Sequence, residues 1–321
     1  MSAVLFEGNS IPLEHGESVL DALLRHGHDI PNGCRAGACQ SCLMVSESDG
    51  LPSAARQGLS DTQLALNQFL ACQCIPTEPV EVTKANFDGL KLEGCVIEKD
   101  MLTAQVLRLR ITTEEKLNYL AGQYVTLWNN QGLARSYSLA SQSETEDFLE
   151  FHIKVIPNGA FSQWASQSLA VSDSITIQGP MGKCVYAAEA DQPLLLGAIG
   201  TGLAPIYGIL KDALHKQHTG DINIVLGAMN SGSFYLRDEL KALANQHQNV
   251  QVHFIAKTTA DSGDIPDDIY DYCKSKFTEL KDTKIYLCGA QTFVQKMRKQ
   301  CFLGGAAMSN ISADVFLPFA K

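Results

Sequence analysis

The chain has 321 residues, which is enough for about two or three domains. With 45% hydrophobic and 19% charged residues it can bury full cores, and this composition excludes a disordered chain. The net charge of −10 argues against a nucleic-acid binder, because binding to phosphates relies on clustered lysines and arginines.

The amino-terminal residues, MSAVLFEGNS, lack the basic stretch and long apolar core of a signal peptide. The longest uncharged run, Pro193–Leu210, contains four glycines and two prolines, which suits a buried strand, a turn and a helix start better than a membrane span. We therefore expect a cytoplasmic protein without a membrane segment.

The first predicted domain covers residues 1–86. Val4–Gly8 is strand-like, and Ser18 is placed to cap a short helix whose apolar residues follow at helical spacing. A second helix is predicted from Ser60 through Leu70, and Val80–Thr83 predicts a closing strand. The KANFDG segment that follows predicts a linker.

The second predicted domain covers residues 90–188, and its pattern is typical of a small antiparallel barrel. Its predicted strands are Thr103–Ile111, Tyr124–Trp128, Phe148–Ile156 and Ser174–Ile177.

The third predicted domain covers residues 189–321, where strands alternate with helical stretches. This alternation predicts a parallel sheet with helices on both faces. Its predicted strands are Leu194–Ile199, Ile222–Leu226, Val250–Ile255 and Ile285–Cys288.

Three of the ten cysteines crowd into one loop, PNGCRAGACQSC. The spacing is Cys34-x4-Cys39-x2-Cys42, and Cys72 follows after 29 more residues. This is the ligand spacing of plant-type [2Fe-2S] ferredoxins. The small residues of the loop allow the backbone to wrap tightly, so that its N–H groups can approach the cluster sulfurs. A zinc site is the alternative, but zinc knuckles use paired C-x2-C units and only one such spacing occurs in the loop.

The segment GCRAGACQSC, followed by LACQ, resembles the ferredoxin domain of bacterial oxygenase reductases. This resemblance implies a β-grasp fold and a cluster held by Cys34, Cys39, Cys42 and Cys72. Cys74 is the alternative fourth ligand, and the L-A-C-Q context favours Cys72.

The middle domain contains residue types that a flavin needs. Tyr137 offers a ring to the isoalloxazine, and Ser138 beside it offers a hydroxyl. Arg135 offers a guanidinium fork to a pyrophosphate, and Ser162, after a glycine turn, offers donors at a predicted helix start.

In order with HIKV and GPMG, these residues resemble the flavin domain of the ferredoxin-NADP reductase superfamily. His152 and Lys154 are the least specific, because an alternating strand can carry them as surface residues. The resemblance implies that the flavin contacts Arg135, Tyr137, Ser138, His152, Lys154, Val155, Gly159, Phe161 and Ser162, and it favours FAD over FMN.

Gly200-Thr201-Gly202-Leu203-Ala204-Pro205 follows an apolar strand and opens a predicted helix. Such glycines allow the backbone to approach a pyrophosphate, which the positive helix N-terminus attracts. Pro205 stands where a Rossmann dehydrogenase has its third glycine, but GTGLAP resembles the pyridine-nucleotide loop of the same reductase superfamily.

The superfamily resemblance also implies that Cys288 and Gly289, at the end of the last core strand, lie near the nicotinamide. Cys288 can equally be an ordinary buried cysteine. An aromatic residue near the carboxyl terminus covers the flavin in this superfamily. Phe316 matches it by position and Phe319 is the rival. Tyr137, Cys288 and Phe316 are therefore the candidate catalytic residues, and Gly200, Thr201, Gly202, Pro205, Cys288, Gly289 and Phe316 are the further candidate cofactor residues.

The sequence also favours NADH over NADPH. A 2′-phosphate requires arginine or lysine, but Met229 stands where related reductases often have arginine. No basic residue follows until Arg237.

Nearly the whole chain resembles the NADH-dependent oxygenase reductases of the naphthalene dioxygenase, benzoate dioxygenase and phenol hydroxylase type. The implied fold is an α+β and α/β multidomain protein, with a β-grasp ferredoxin, an antiparallel flavin-binding barrel and a parallel-sheet nucleotide domain. The implied function is electron transfer from NADH through FAD and a [2Fe-2S] cluster to a terminal oxygenase or its ferredoxin, which converts a two-electron donor into single-electron steps.

The final acceptor is not encoded in a reductase sequence, so other functions stay open. These are the reductase of a deoxysugar dehydratase, a redox sensor or carrier without a catalytic partner, and a ferric or quinone reductase. We expect a monomer.

Overall fold

The structure is a computed structural model that describes residues 2–30, 32, 35, 37, 40, 42–48, 50–59, 63–64, 66–85, 91–259 and 261–316. The described residues form two compact units. The first contains residues up to 91 together with 126–136, and the second contains 92–125 and 137–316. Within these stretches, no helix has both the length and the apolar character needed to cross a membrane.

The first unit is a five-stranded mixed sheet with one helix. The sheet order is β2-β1-β5-β3-β4, in which β1 runs parallel to β5 and the other neighbouring pairs are antiparallel. This is a β-grasp arrangement. Its elements are β1 (Ala3–Phe6), β2 (Asn9–Pro12), α1 (Val19–Arg25), β3 (Leu43–Val45), β4 (Gln68–Leu70) and β5 (Val80–Lys84).

Helix α1 forms where its cap and apolar residues predict it. The Ser18 hydroxyl accepts a hydrogen bond from the backbone N–H of Asp21, which satisfies one of the donors at the helix start. Val19, Leu20 and Leu23 are fully buried and pack with the strands in one core.

The predicted helix through Leu70 is wrong at its end. Ser60 lies outside the described residues, but Leu70 lies in strand β4 and pairs with Leu43. Asn67 takes a left-handed conformation with a φ of 51°, which ends any helical path before the strand.

A six-stranded sheet follows, with the order β10-β7-β6-β11-β8-β9. An isolated antiparallel bridge between Leu139, just after β9, and Phe151 in β10 joins the two ends of this order, so the sheet curls into a barrel. The elements are β6 (Lys91–Thr103), β7 (Val106–Thr113), β8 (Tyr124–Trp128), β9 (Ala134–Ser138), β10 (Leu149–Lys154), α2 (Ala160–Gln167) and β11 (Ser174–Met181).

The single strand predicted from Thr103 to Ile111 is instead the turn and second arm of a hairpin. Thr103 ends β6 and pairs with Val106 at the start of β7. The long strand β6 was not predicted because acidic residues interrupt its apolar pattern. Arg108 pairs across the hairpin with Glu98 and Asp100, with nitrogen–oxygen distances of 2.9 Å to each, so these carboxylates stabilise the pairing.

The rest of the second unit is a parallel sheet with helices on both faces, as predicted. The strand order is β15-β14-β13-β12-β16-β17, and every neighbouring pair is parallel. The elements are β12 (Leu194–Ile199), α3 (Leu203–His215), β13 (Ile222–Asn230), α4 (Arg237–Gln246), β14 (Val250–Thr259), β15 (Ile265–Pro266), α5 (Ile269–Lys276), β16 (Lys284–Ala290), α6 (Gln291–Leu303) and β17 (Ile311–Phe316).

Alternation along the strands builds a core on each face of this sheet. In β16, Tyr286 and Cys288 pack towards α3 and α4, whereas Ile285 and Leu287 pack towards α5 and α6. The carboxyl ends of the parallel strands therefore share one edge of a rigid scaffold, which is where ligands bind in sheets of this class.

Candidate functional site

Two of the predicted cluster ligands are within the described residues, and two, Cys34 and Cys39, lie outside them. Cys42 directly precedes β3, and Cys72 lies in a single 3₁₀ turn directly after β4. The backbone N–H of Ala71 donates to the carbonyl of Cys42 at 3.0 Å, so the two segments that carry these predicted ligands have adjacent backbones.

Gln73 connects Cys72 to the loop and was missed by the sequence analysis. Its side-chain amide donates to Cys72 Sγ at 3.6 Å and to the carbonyl of Arg35 at 3.1 Å. A Cβ on Gly37 would lie 3.0 Å from Gln73 Cγ, so the glycine makes room for this side chain. A donor directed at the sulfur of a predicted ligand fits the requirements of an iron–sulfur cluster.

Cys74 is in a different environment. Its exposed fraction is 0%, and it packs among the apolar side chains of the first unit. Burial raises the pKa of the Cys74 thiol to about 12. Because metal ligation requires the thiolate, these surroundings favour Cys72 as the fourth ligand.

Aromatic side chains assemble at the predicted flavin residues. The ring of Tyr137, on β9, lies 5.5 Å from that of Phe161, and Phe161 lies 5.2 Å from Trp164. Phe161 is buried, so the row supports Tyr137 from one side. A tyrosine held in this way fits a residue that stacks on an isoalloxazine.

Helix α2 begins beside this row, with Gly159 at its N-cap. The Ser162 hydroxyl accepts from the backbone N–H of Ile156 at 3.1 Å and donates to the carbonyl of Gly159 at 3.2 Å. A Cβ on Gly159 would lie 2.7 Å from this hydroxyl. Ser162 and Gly159 therefore shape the turn, and the first N–H groups of the helix supply the donors that suit a pyrophosphate.

The ring of His152, a predicted flavin residue, is enclosed by protein side chains. Its side chain is fully buried, Nε2 lies 2.9 Å from Glu150 Oε1, and Nδ1 lies 3.2 Å from the hydroxyl of Tyr235. In this structure neither ring nitrogen is open to a flavin. Glu150, which the sequence analysis missed, also accepts from Arg110 at 2.6 Å.

Three further predicted flavin residues, Arg135, Lys154 and Val155, differ in exposure and in hydrogen-bond partners. Lys154 is exposed and Val155 is partly buried, with its backbone N–H donating to the carbonyl of Gln105. Arg135 donates to the carbonyl of Asn32 at 3.3 Å, and both residues belong to the first unit.

The predicted nucleotide loop is packed against the end of β16. Residues Gly200–Gly202 form a 3₁₀ turn that leads directly into α3, with Pro205 in its first turn. A Cβ on Gly202 would lie 2.1 Å from the carbonyl oxygen of Cys288, and a Cβ on Gly289 would lie 2.8 Å from Ile199. Only glycines allow this contact, which brings Gly200, Thr201 and Gly202 together with Cys288 and Gly289. The free N–H groups at the helix start fit a nucleotide pyrophosphate.

The Cys288 thiol itself is covered by protein. Its exposed fraction is 0%, and Sγ lies 3.9 Å from Cys184 Sγ. Burial raises the pKa of Cys288 well above its ordinary value, so the thiol stays protonated. In this structure it is the backbone of Cys288, rather than its sulfur, that borders the nucleotide loop.

Strand β17 carries Phe316 to the same sheet edge, where it pairs with Ala290. Two residues earlier, Asp314 accepts a hydrogen bond from the Ser138 hydroxyl at 2.9 Å. This bond ties the predicted flavin strand β9 to the carboxyl-terminal strand. Phe319, the rival of Phe316, lies outside the described residues.

The end of β13 carries Met229, the position at which a basic residue would favour the 2′-phosphate of NADPH. Met229 is 58% exposed there. Arg237 instead forms two hydrogen bonds to Asp264, at 2.7 and 2.5 Å. Asp264 was missed because it lies 27 residues further along the chain.

Three protein families match successive stretches of the chain. Residues 6–77 match the 2Fe-2S iron-sulfur cluster binding domain, 94–186 the oxidoreductase FAD-binding domain, and 196–299 the oxidoreductase NAD-binding domain. The chain therefore contains all three domains, and the cofactors they imply are a [2Fe-2S] cluster, FAD and NAD.

Several known proteins are similar over almost their full length. Reductase component 1 of the terephthalate 1,2-dioxygenase of Comamonas sp is 29% identical over 320 residues, which cover 96% of this chain and 94% of the relative. The ferredoxin–NAD(P)(+) reductase component of the naphthalene 1,2-dioxygenase system of Pseudomonas putida is 29% identical over 317 residues, 96% of each chain. The CDP-6-deoxy-L-threo-D-glycero-4-hexulose-3-dehydrase reductase of Yersinia pseudotuberculosis is 25% identical, with 94% and 93% covered.

Solved structures share the fold. The Amycolatopsis cytochrome P450 reductase GcoB has a TM-score of 0.72 and 25% identity, with 99% of each chain covered. The ferredoxin reductase in carbazole 1,9a-dioxygenase has a TM-score of 0.68 and 24% identity, with 98% of each chain covered.

Proposed function

Because the chain is an NADH-dependent ferredoxin reductase with 2Fe-2S, FAD-binding and NAD-binding domains, we propose that it delivers electrons to a terminal oxygenase or to the ferredoxin of an oxygenase system. The observation that carries this proposal is the similarity, over nearly the whole chain, to the terephthalate and naphthalene dioxygenase reductase components. A single chain with the three domains in this order connects a nicotinamide donor to a one-electron exit.

The proposed division is a ferredoxin domain at residues 1–86, a flavin domain at 90–188 and a nucleotide domain at 189–321. Cys34, Cys39, Cys42 and Cys72 hold the cluster. Support comes from the adjacent backbones of Cys42 and Cys72 and from the amide of Gln73 that donates to the Cys72 sulfur.

FAD, when bound, supplies the conversion from a two-electron donor to single-electron transfer. Tyr137 stacks on its ring, with Phe161 fixing the tyrosine from behind. The start of α2, shaped by Gly159 and Ser162, holds the pyrophosphate. Phe316 covers the flavin from the end of β17. Arg135, Ser138, Lys154 and Val155 line the rest of the flavin site.

The loop at Gly200–Gly202 holds the pyrophosphate of the nicotinamide nucleotide at the start of α3. The close backbone contact with Cys288 and Gly289 fixes the loop, so the nicotinamide end is oriented by a rigid sheet edge. The exposed Met229 gives a 2′-phosphate no positive partner, which supports NADH as the donor. We further propose that the protein is a cytoplasmic monomer.

A reductase of a deoxysugar dehydratase is the second candidate, since the Yersinia relative is similar over 94% of this chain and 93% of its own. The two are separated by capturing the acceptor from the source cells with the tagged, cofactor-loaded chain, and by then reconstituting NADH oxidation with the captured protein. The Cys72→Ser variant is the matched control, because it removes only a proposed cluster ligand.

We expect an oxygenase component or its ferredoxin, whose addition couples NADH oxidation to hydroxylated product in the wild type and not in Cys72→Ser. Product formation with a captured dehydratase, and none with an oxygenase, would contradict the proposal.

A further inference from the structure

Arg237 is the first basic residue after β13, and the structure shows what holds it. Both terminal nitrogens donate to the two oxygens of Asp264, and Nη2 also lies 3.3 Å from the carbonyl oxygen of Ser231. The guanidinium carbon lies 4.8 Å from the ring centre of Phe234 and 4.6 Å from that of Phe254. The guanidinium is therefore held at its edge and against aromatic rings.

Asp264 is held in place as Arg237 is, by burial and hydrogen bonds. Its side chain is 1% exposed, and it also accepts a hydrogen bond from the hydroxyl of Ser231. The hydrogen bond from Arg237 lowers the pKa of Asp264, so the carboxylate is ionised. Moving Arg237 away would leave a buried, unpaired charge, which is one of the costliest arrangements in a protein.

The Arg237–Asp264 pair lies at the sheet edge that bears on the choice between NADH and NADPH. Ser231 directly follows β13, at the carboxyl edge where the neighbouring strand β12 ends in the glycine loop. In open sheets of this kind, the residues after the second strand select between the 2′-hydroxyl and the 2′-phosphate of the nucleotide. Arg237 folds back onto Ser231. A positive charge is therefore present at this edge, but it is already paired with Asp264.

We propose that Asp264 is a positioning residue for donor specificity, which excludes NADPH by holding Arg237 in a paired, stacked arrangement beside the end of β13. The inference rests on the proposed preference for NADH. The carboxylate acts through Arg237 alone, because it occupies the guanidinium that a 2′-phosphate would otherwise bind. Asp264→Asn keeps the size and an acceptor for Ser231 but removes the charge, so it frees Arg237.

The test compares kcat/KM for NADH and NADPH in the full-length, cofactor-loaded protein with ferricyanide as the acceptor. In Asp264→Asn we expect kcat/KM for NADPH to rise about tenfold relative to NADH, mainly through KM, since a new charge-assisted hydrogen bond is typically worth about that factor. Inhibition by 2′-AMP, which carries the phosphate alone, should strengthen to a similar extent, whereas inhibition by 5′-AMP should not.

Two further variants make the result specific. Asp221→Asn removes an exposed carboxylate just before β13, at the opposite edge of the sheet, and should leave the donor ratio unchanged. Arg237→Gln combined with Asp264→Asn should return the ratio to that of the wild type. A gain that persists in the double variant would mean that another cation, such as Lys241, binds the phosphate, and it would overturn the inference.

Arg237→Gln alone tests the same point without altering Asp264. The inference requires that this variant keeps the wild-type donor ratio, because Arg237 does not reach the nucleotide. A loss of NADPH use that Arg237→Gln and the double variant share would show that it does, and the inference would be wrong. Equal use of NADH and NADPH by the wild type would instead contradict the proposed donor, whereas an unchanged ratio in Asp264→Asn would contradict only the role of Asp264.

Discussion

Cys72 and Cys74 lie two residues apart, but their surroundings differ. Cys72 is partly buried and its sulfur accepts a hydrogen bond from Gln73, whereas Cys74 is fully enclosed by the core of the first unit. We therefore expect Cys72→Ser to lose the cluster and Cys74→Ser to keep it. Iron content and the visible absorption spectrum of the purified variants measure this directly.

The same pair of variants has a built-in control. NADH-dependent reduction of ferricyanide should persist in both, because it requires only the FAD-binding and NAD-binding domains. Reduction of cytochrome c should fall in Cys72→Ser alone, since the cluster is the proposed one-electron exit. Cluster loss in Cys74→Ser with full retention in Cys72→Ser would reverse the ligand assignment. Cys74→Ala separates this outcome from the cost of a buried hydroxyl.

The turn between β12 and α3 depends on one close backbone contact. In Gly202→Ala, the new Cβ would lie 2.1 Å from the carbonyl oxygen of Cys288, and backbone cannot move aside as a flexible side chain does. We expect a loss of about 1–3 kcal/mol or more of stability and at least about a tenfold rise in KM for NADH. Thermal melting and steady-state kinetics measure the two effects.

Gly232→Ala is the matched control for stability, because its Cβ would have its nearest contact at 3.6 Å, an ordinary van der Waals distance. FAD content should stay at the wild-type level in Gly202→Ala, since the proposed flavin residues lie on other elements. An unchanged KM for NADH in a folded Gly202→Ala protein would show that this turn does not hold the nucleotide.

The central strands of the parallel sheet could be predicted from sequence because they are buried on both faces and form continuous apolar runs. Leu194–Ile199 has the predicted bounds, and β13, β14 and β16 extend beyond them. The edge strand β17 was missed because Ile311–Phe316 is only partly buried and mixes polar with apolar residues. Strand β4 was read as helix because its pairing with β3 comes from residues far away in the sequence.

In the candidate site, too, local features could be predicted and contacts between distant residues could not. Glycine turns such as Gly200–Gly202 are local signals, so the sequence predicts them. Glu150 pairs with Arg110, 40 positions away, and Asp264 pairs with Arg237, 27 positions away. A sequence does not show which acid meets which base. The hydrogen bond between Tyr235 and the buried ring of His152 could not be predicted for the same reason, because the two residues lie 83 positions apart.

His152 lies in a buried polar network that links two parts of the second unit. It lies on β10 of the barrel, its ring is 5.1 Å from that of Tyr235, which precedes α4, and 6.4 Å from that of Tyr207 on α3. Its neutral form uses both partners well, because Nε2–H donates to Glu150 while Nδ1 accepts from the hydroxyl of Tyr235. Packing of the barrel against the parallel sheet thus depends on a histidine without charge.

This arrangement makes the stability of the second unit depend on pH. Burial lowers the pKa of His152 below its ordinary value of about 6.5, although the hydrogen bond to Glu150 acts in the opposite direction. Below that value the unfolded chain binds a proton that the folded chain does not, so stability falls as pH falls. Burial acts to raise the pKa of Glu150, but His152 and Arg110 bring it down to about 2, so its own contribution is lost only between about pH 4.5 and 2. The two groups therefore act in separate pH windows.

We expect the melting temperature of the second unit to fall between pH 7 and 5, and to fall less in His152→Gln, which keeps a donor for Glu150 but does not titrate. The slope assigned to His152 is at most about 1.4 kcal/mol per pH unit. The chain has two tryptophans, Trp128 in the first unit and Trp164 in the second. In a Trp128→Phe background, the fluorescence of Trp164 therefore reports the second unit alone.

His215→Gln, which removes a histidine that is 39% exposed at the end of α3, is the matched control and should keep the wild-type slope. An equal slope in the wild type and in His152→Gln would mean that another group carries the acid sensitivity, and that the buried network around Glu150 does not control how the barrel and the sheet hold together.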